Sequence, residues 1–164
     1  MNAAGIIASK VLAPGELAAR LNGWRLLDQR IVFSNGCFDI LHLGHIDYLS
    51  RAAALGDKLV IGLNSDASTR RLKGPGRPIN DERSRSLVLA SLFFVDAVCL
   101  FEEDTPYELI RLLCPDVLVK GADYTIEQIV GADIVLANGG EVKTVAYLEG
   151  YSTTAIEQRI RSGK

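Results

Sequence analysis

Two histidines, His42 and His45, lie three positions apart and are the only histidines in the chain. A helical turn places side chains at this spacing on one face, so both imidazoles can point into the same space. Each ring can donate a hydrogen bond to a phosphate oxygen, whether the ring is neutral or charged. A metal site is disfavoured because Asp39 is the nearest further ligand type. The pair therefore predicts a phosphate site, with a chance pairing on a loop as the alternative.

The residues around the histidines also fit an anion site. Gly36 follows an apolar run and permits a tight turn that brings the backbone near a ligand. A helix predicted to start near Leu43 offers unpaired N–H groups and a positive dipole end, and Gly44 keeps its first turn free of side-chain bulk. The helix dipole lowers the pKa of each imidazole and a bound phosphate raises it, so the sequence leaves their charge open.

A second candidate anion site is the stretch 67–80, which contains four basic residues and no acid. Breakers from Gly74 to Pro78 predict a loop here. The composition of this loop fits a solvated segment and an anion site equally well.

Composition excludes several classes of protein. The 164 residues are enough for one domain with a core, and a net charge of −2 argues against a nucleic-acid partner. Three widely spaced cysteines match neither a zinc pattern nor a disulfide framework, which favours a reducing cytoplasm. We see no signal peptide and no apolar run near the roughly 20 residues that span a membrane, so we expect no membrane partner.

Apolar strands alternate with helices along the chain. The predicted strands lie at 30–34, 58–64, 95–101, 116–120 and 141–147. This alternation predicts an α/β fold with a doubly wound parallel sheet. Ahead of the first strand, a helix over 16–27 places Leu17, Leu21, Trp24 and Leu27 on one face.

Polar residues follow several of the strands. Asn35 and Gly36 follow the first strand, Asn64 to Asp66 the second, and Lys120 to Asp123 the fourth. In parallel sheets, ligands bind beyond the carboxyl ends of the strands, where the winding reverses. We therefore expect these residues to share one site.

The segment 34–45, which contains His-Leu-Gly-His, resembles the signature of the cytidylyltransferase-like nucleotidyltransferases. Ser152-Thr153-Thr154 resembles the family's second motif, which opens the final helix. Other segments are similar to the branch of the family that adenylylates a heptose 1-phosphate. They lie at 64–69, 72–74, 76–80, 101–106, 118–124 and 137–142.

The resemblance implies a Rossmann-like nucleotidyltransferase domain at 30–164 behind an N-terminal helical arm at 1–29. It also implies transfer of AMP from ATP to D-glycero-β-D-manno-heptose 1-phosphate, giving ADP-heptose for surface-glycan synthesis and pyrophosphate. The acceptor attacks directly, so the enzyme must position and stabilise charge. Mg²⁺ is expected as the ATP counterion, without a dedicated carboxylate cage.

The resemblance also implies roles for individual residues. The expected catalytic residues are His42, His45 and Lys73. The expected nucleotide-binding residues are Ser34, Asn35, Gly36, Phe38, Gly44, Lys120, Asp123, Tyr124, Ser152 and Thr153. The expected substrate-binding residues are Asp66, Arg77 and Arg85. Asp66 also fits a turn former, and Ser152 or Thr153 a plain helix cap. Arg83 occupies the place where we expect an acid, which leaves the role of Glu82 open.

Several alternatives stay open. Another acceptor, such as glycerol 3-phosphate or pantetheine phosphate, or CTP in place of ATP, would fit the same family. A non-catalytic nucleotide-sensing module is a further reading, disfavoured because both histidines, Lys73 and the Ser-Thr-Thr motif are present. Some bacteria join this activity to a sugar kinase, and the 30 residues before the first strand are too few for one. We expect the stand-alone transferase, as a homodimer or higher homo-oligomer.

Overall fold

Parallel strands organise the chain in the computed structural model, which describes residues 2–163. The strands are β1 (Ile31–Gly36), β2 (Lys58–Asn64), β3 (Ala97–Phe101), β4 (Val117–Gly121) and β5 (Glu141–Val145). The helices are α1 (Ala3–Ala8), α2 (Pro14–Arg25), α3 (Leu43–Ala53), α4 (Asp66–Lys73), α5 (Glu82–Ser91), α6 (Tyr107–Leu113), α7 (Ala132–Ala137) and α8 (Thr153–Ser162). A 3₁₀ turn covers Ile126–Gln128.

The sheet winds outward in both directions from β1. Its strand order is β3-β2-β1-β4-β5, and every pairing is parallel. The winding therefore reverses between β1 and β4, and their carboxyl ends open a crevice where ligands bind in such folds. The predicted α/β fold with a doubly wound, Rossmann-like sheet is confirmed.

Both faces of the sheet are covered. Along β1, Phe33 belongs to one apolar cluster and Val32 to another, and both side chains are fully buried. Successive strand residues point to opposite faces, so a strand buried on both sides needs a continuous apolar run. This is why the central strands have no polar alternation, and why their polar residues are found at the ends.

Short polar side chains define where the helices near the crevice begin. Ser65, Asp81 and Ser152 each accept a hydrogen bond from the backbone N–H three residues further on. Such caps satisfy one of the N–H groups that a first turn leaves unpaired. Within residues 2–163, no helix has the length and apolar character needed to cross a membrane.

The N-terminal arm packs into the same core as the sheet. Leu17 and Leu21 of α2 are fully buried in the cluster that contains Phe33. The expected placement of Leu27 on this face is wrong, because its side chain is 71% exposed. Helix α2 ends at Arg25, so the helical period that would have turned Leu27 inward has stopped before that residue.

The first half of the basic stretch is a helix and not a loop. Helix α4 covers Asp66–Lys73, and the breakers begin only at Gly74. Its buried face carries Ser68 and Thr69, which are fully buried, so it lacks the apolar period that predicts a helix. Asn64 donates to the Ser68 hydroxyl at 3.0 Å, which satisfies that buried polar group.

Replacing Leu21 with alanine tests whether the arm belongs to the core. We expect Leu21→Ala to lower the free energy of unfolding by about 2–5 kcal/mol, because it leaves a cavity between α2 and the sheet. The matched control is Leu27→Ala in the same arm, which should change it by less than about 0.5 kcal/mol. Urea unfolding of both variants gives the comparison, and equal effects would contradict this packing.

Candidate active site

A cleft of about 580 Å³ lies at the carboxyl ends of β1, β2 and β4. It brings together many of the residues that the sequence singled out. These are Asn35, Gly36, Phe38, His45, Lys73, Arg77, Lys120, Tyr124 and Thr153. The cleft therefore occupies the crevice that the strand order creates.

The two histidine rings stack at the start of α3. Their centroids are 3.9 Å apart with an interplanar angle of 30°, and the Phe38 ring meets His45 edge-on at 5.5 Å. The Nδ1 atoms of both rings are buried and have no hydrogen-bond partner within residues 2–163. The amide oxygen of Asn35 is also buried and has no hydrogen-bond partner among these residues. Unpaired buried polar atoms cost about 1–3 kcal/mol each. Of the two histidines, His45 is the one that lines the cleft.

Gly44 makes the close approach around His42 possible. A Cβ atom at this position would lie 3.1 Å from Nδ1 of the His42 ring and 3.1 Å from Cβ of Tyr151. Those neighbours are distant in sequence, so a side chain at 44 would require the histidine ring or the segment before α8 to shift by a few tenths of an ångström. A glycine suits this position because it lacks bulk, as its place in the first helical turn indicated.

Burial favours the neutral form of both imidazoles. Burial lowers the pKa of His45 to about 4, with a further contribution from the charge of neighbouring His42. Burial also lowers the pKa of His42. The sequence left the charge of the pair open, and the structure identifies burial as the main cause that makes it neutral. A neutral imidazole still donates one N–H, so the pair can hold phosphate oxygens without like-charge repulsion between the rings.

Lys120 lies near the end of β4, the strand that borders the switch in winding. Burial lowers the pKa of Lys120 to about 8, although Asp123 and Cys37 oppose that change. Its ammonium lies 5.9 Å from the ring centroid of Tyr124, which also lines the cleft. Asp123 is exposed and is not among the residues that line the cleft. An anionic ligand would stabilise the charged form of this lysine.

Arg85 and Asp66 bind each other outside the cleft. Arg85 is 2% exposed and donates to the carbonyl oxygens of Cys37, Asn64 and Asn80 and to the carboxylate of Asp66. Both had been expected to bind substrate, but neither lines the cleft. Glu82, whose role the sequence left open, accepts from the backbone N–H of Asp66 at 2.8 Å.

Lys73 and Arg77 both line the cleft, but they differ in how firmly other side chains hold them. Lys73 lies at the last turn of α4 and, within residues 2–163, has no carboxylate within 4.0 Å. Arg77 donates through Nε to Asp39 at 2.6 Å and through Nη1 to Glu157 of α8. Burial raises the pKa of Asp39, but hydrogen bonds from Asn80, Ile79 and Arg77 outweigh this and lower it.

Ser34 lies beneath the cleft and is fully buried. Its hydroxyl pairs with that of Tyr48 at 2.9 Å, and Tyr48 donates to the carbonyl of Val119 on β4. The Tyr147 ring packs near Tyr48, with centroids 5.7 Å apart, and covers Gly121 so closely that a Cβ there would overlap it. Ser34 thus ties β1 to β4 at the switch point and does not line the cleft.

The residues of the Ser-Thr-Thr motif have two roles, because one of them caps α8 and two line the cleft. The Ser152 hydroxyl accepts from the N–H of Ala155 at 3.1 Å, which is the cap role considered from the sequence. Thr153 and Thr154 line the cleft. The sequence signal missed Thr154 as a site residue, although its place in the Ser-Thr-Thr motif could have indicated it. It also missed Glu157, which has no local signal because its partner Arg77 is 80 residues away.

The described residues do not fit a resident metal ion. Within residues 2–163, no three or more histidine, cysteine, aspartate or glutamate side chains are grouped so that they could hold one. Asp39 near the histidines is already engaged with Arg77 and the backbone of Ile79 and Asn80.

A Rossmann-like sheet whose first strand leads to two neutral histidines at a helix start defines an enzyme of the nucleotidyltransferase class. A family model described as cytidylyltransferase-like matches residues 33–159. The chain belongs to this cytidylyltransferase-like family.

Known proteins are similar to this chain over most of its length. It is 56% identical over 154 residues to "Bifunctional protein HldE" of Rhodopseudomonas palustris (strain BisA53), which covers 94% of this chain and 31% of that protein. The chain thus spans about a third of the length of the curated relatives it matches. A solved structure, the lipopolysaccharide core biosynthesis protein from Thermoplasma volcanium GSS1, is 33% identical with a TM-score of 0.59, covering 76% of this chain and 99% of that one.

A more distant structure shares the fold alone. Pantoate-beta-alanine ligase from Francisella tularensis, solved with beta-gamma ATP and beta-alanine, is 15% identical with a TM-score of 0.58. The match covers 90% of this chain and 75% of that one.

The low pKa of Lys120 gives a pH dependence that can be measured. If the charged lysine binds phosphate, kcat/KM should fall as the pH rises through about 8, where the free enzyme loses that proton. Lys120→Arg keeps its charge at alkaline pH, so this limb should move to higher pH. A pH–rate profile of both proteins tests this, and an unmoved limb in the arginine variant would assign it to another group.

Proposed function

We propose that this chain transfers AMP from ATP to D-glycero-β-D-manno-heptose 1-phosphate, giving ADP-heptose and pyrophosphate. The observation that carries the proposal is the stacked pair His42 and His45 at the start of α3, with both Nδ1 atoms buried and unpartnered within residues 2–163. Two neutral donors beside a helix N-terminus suit the inner phosphates of a nucleoside triphosphate.

The acceptor is inferred from the segments that resemble heptose 1-phosphate adenylyltransferases, described above. Two comparisons support this choice. The HldE relatives match along most of the chain, and the 33% identical structure carries the name of a lipopolysaccharide core biosynthesis protein. A sugar 1-phosphate also supplies the nucleophile that the site itself lacks. Cys37 is the thiol in the cleft, and within residues 2–163 neither histidine hydrogen-bonds to it.

The reaction then needs positioning and charge stabilisation. An oxygen of the acceptor phosphate attacks the α-phosphorus of ATP, the bond to the bridging oxygen of the β-phosphate breaks, and pyrophosphate leaves with the electron pair. His42 and His45 would donate to α- and β-phosphate oxygens as negative charge builds there. Lys73 and Lys120, which both line the cleft, would neutralise charge on the leaving and entering phosphates.

The nucleotide would be held between β4 and α8. Tyr124 and Thr153 both line the cleft. The Ser152 cap takes the N–H of Ala155, and the first turn of α8 leaves further backbone N–H groups without a helical partner. Asp66 and Arg85 are proposed to support the site by fixing the loops around it, since they contact each other. Mg²⁺ would arrive bound to the phosphates of ATP.

A coupled pyrophosphate assay tests the proposed function. ATP and CTP are each offered with both anomers of heptose 1-phosphate and with glycerol 3-phosphate. We expect pyrophosphate release with ATP and the β-anomer. Release with another pair alone would replace the proposed substrates, and saturable ATP binding without release from any pair would favour a nucleotide sensor.

His45→Ala should reduce turnover by at least about 100-fold, because one preorganised donor to the transferred group is lost. The measurement is kcat in the same assay, with circular dichroism to show that the variant folds. His45→Gln keeps a donor and should retain more activity than the alanine variant. Near-normal turnover of folded His45→Ala would refute the catalytic role.

A further inference from the structure

Arg77 is shared by two carboxylates on different parts of the chain. Its Nε donates to Asp39, which follows β1, and its Nη1 donates to Glu157 on α8. The Arg77 side chain is 20% exposed and lines both the cleft and a neighbouring groove of about 420 Å³ that Glu157 also lines. Arg77 therefore borders both spaces, whereas Glu157 is among the residues that line the groove and not among those that line the cleft.

The geometry of guanidinium binding limits how a phosphate could reach Arg77. A bidentate contact uses either the edge formed by Nε and Nη2 or the edge formed by Nη1 and Nη2. Asp39 takes the Nε donor of the first edge and Glu157 takes the Nη1 donor, which belongs to the second. A phosphate that takes the guanidinium with two hydrogen bonds must therefore displace one of these carboxylates.

Asp39 is the carboxylate that stays. Its side chain is 1% exposed, and it also accepts hydrogen bonds from the backbone N–H groups of Ile79 and Asn80 at 2.8 Å. Displacing it would bury an unpaired charge, which is strongly unfavourable.

Glu157 is the carboxylate that can leave. It is 27% exposed, and within residues 2–163 it makes no hydrogen bond besides the one from Arg77. Helix α8 contains no fully buried residue, so it is less firmly anchored to the core than the helices whose side chains are buried there. The trio also carries two negative charges and one positive charge beside a cleft proposed to bind polyphosphates, which repels Glu157 further when a phosphate enters.

We propose that Glu157 is an internal occupant of a phosphate subsite at Arg77, and that a substrate phosphate displaces it. Glu157 thereby sets the affinity of this subsite for phosphate and keeps Arg77 paired when the cleft is empty. The identity of the phosphate donor or acceptor rests on the proposed function, whereas the exchange at Arg77 does not.

Titration calorimetry with inorganic pyrophosphate tests the exchange without turnover. Glu157→Gln removes the competing charge, so we expect pyrophosphate to bind at least about threefold tighter than to the unaltered chain. Glu108→Gln is the matched control, because it removes one charge from an exposed ion pair with Arg111 on α6 and should change affinity by less than about 1.5-fold. Unchanged or weaker binding to Glu157→Gln would overturn the proposal.

A second pair of variants, built on Arg77→Lys, distinguishes exchange at the guanidinium from an effect of the charge of Glu157 alone. Arg77→Lys keeps a positive charge beside buried Asp39 but lacks the two-donor edge, so adding Glu157→Gln should then tighten binding less than twofold. The same gain in both backgrounds would show that Glu157 acts through its charge alone, which would overturn the exchange. If the titrations give the expected gain in affinity but the adenylyl-transfer assay fails, the proposed function is refuted and the phosphate subsite at Arg77 is still supported.

Discussion

The buried guanidinium of Arg85 is the interaction on which the cleft depends, because it joins the ends of two strands to the start of a helix. Its donors reach the carbonyls of Cys37 and Asn64, the carbonyl of Asn80 and the carboxylate of Asp66. The Arg85 side chain is 1% exposed, and losing it would leave the backbone carbonyls that it bridges without these hydrogen bonds. The loops after β1 and β2 are thus held at a fixed separation before any ligand arrives.

Burial determines the chemical state of the histidine pair. Rings whose centroids are 3.9 Å apart would repel each other if both were charged, and the low pKa of His45 avoids that state. Their buried, unpartnered atoms lower the stability of the folded chain when no ligand is bound. Donors that are already in place need no reorganisation when charge develops on a phosphate, which is where such sites gain their rate enhancement.

The sequence predicted the sheet and the place of the site, because apolar strand runs and polar strand ends are local signals. It predicted the histidine pair for the same reason, since spacing on one helical turn needs no knowledge of the rest of the chain. It did not predict helix α4, whose buried face carries Ser68 and Thr69 instead of an apolar stripe. It assigned Arg85 to substrate because an arginine's partners cannot be read locally when they are backbone carbonyls from distant segments. Glu157 was missed for an equivalent reason, as its partner lies on another element.

The Tyr147 ring over Gly121 has a consequence for how this fold can diverge. A side chain at 121 would occupy the volume of the ring tip, and because Tyr147 is 53% exposed the ring could make room only by moving toward solvent. A lineage that gains a side chain at 121 therefore has to displace the ring from its place over β4, which favours a smaller residue at 147. We expect the two positions to covary among relatives, with a bulky residue at 147 restricted to chains that keep glycine at 121.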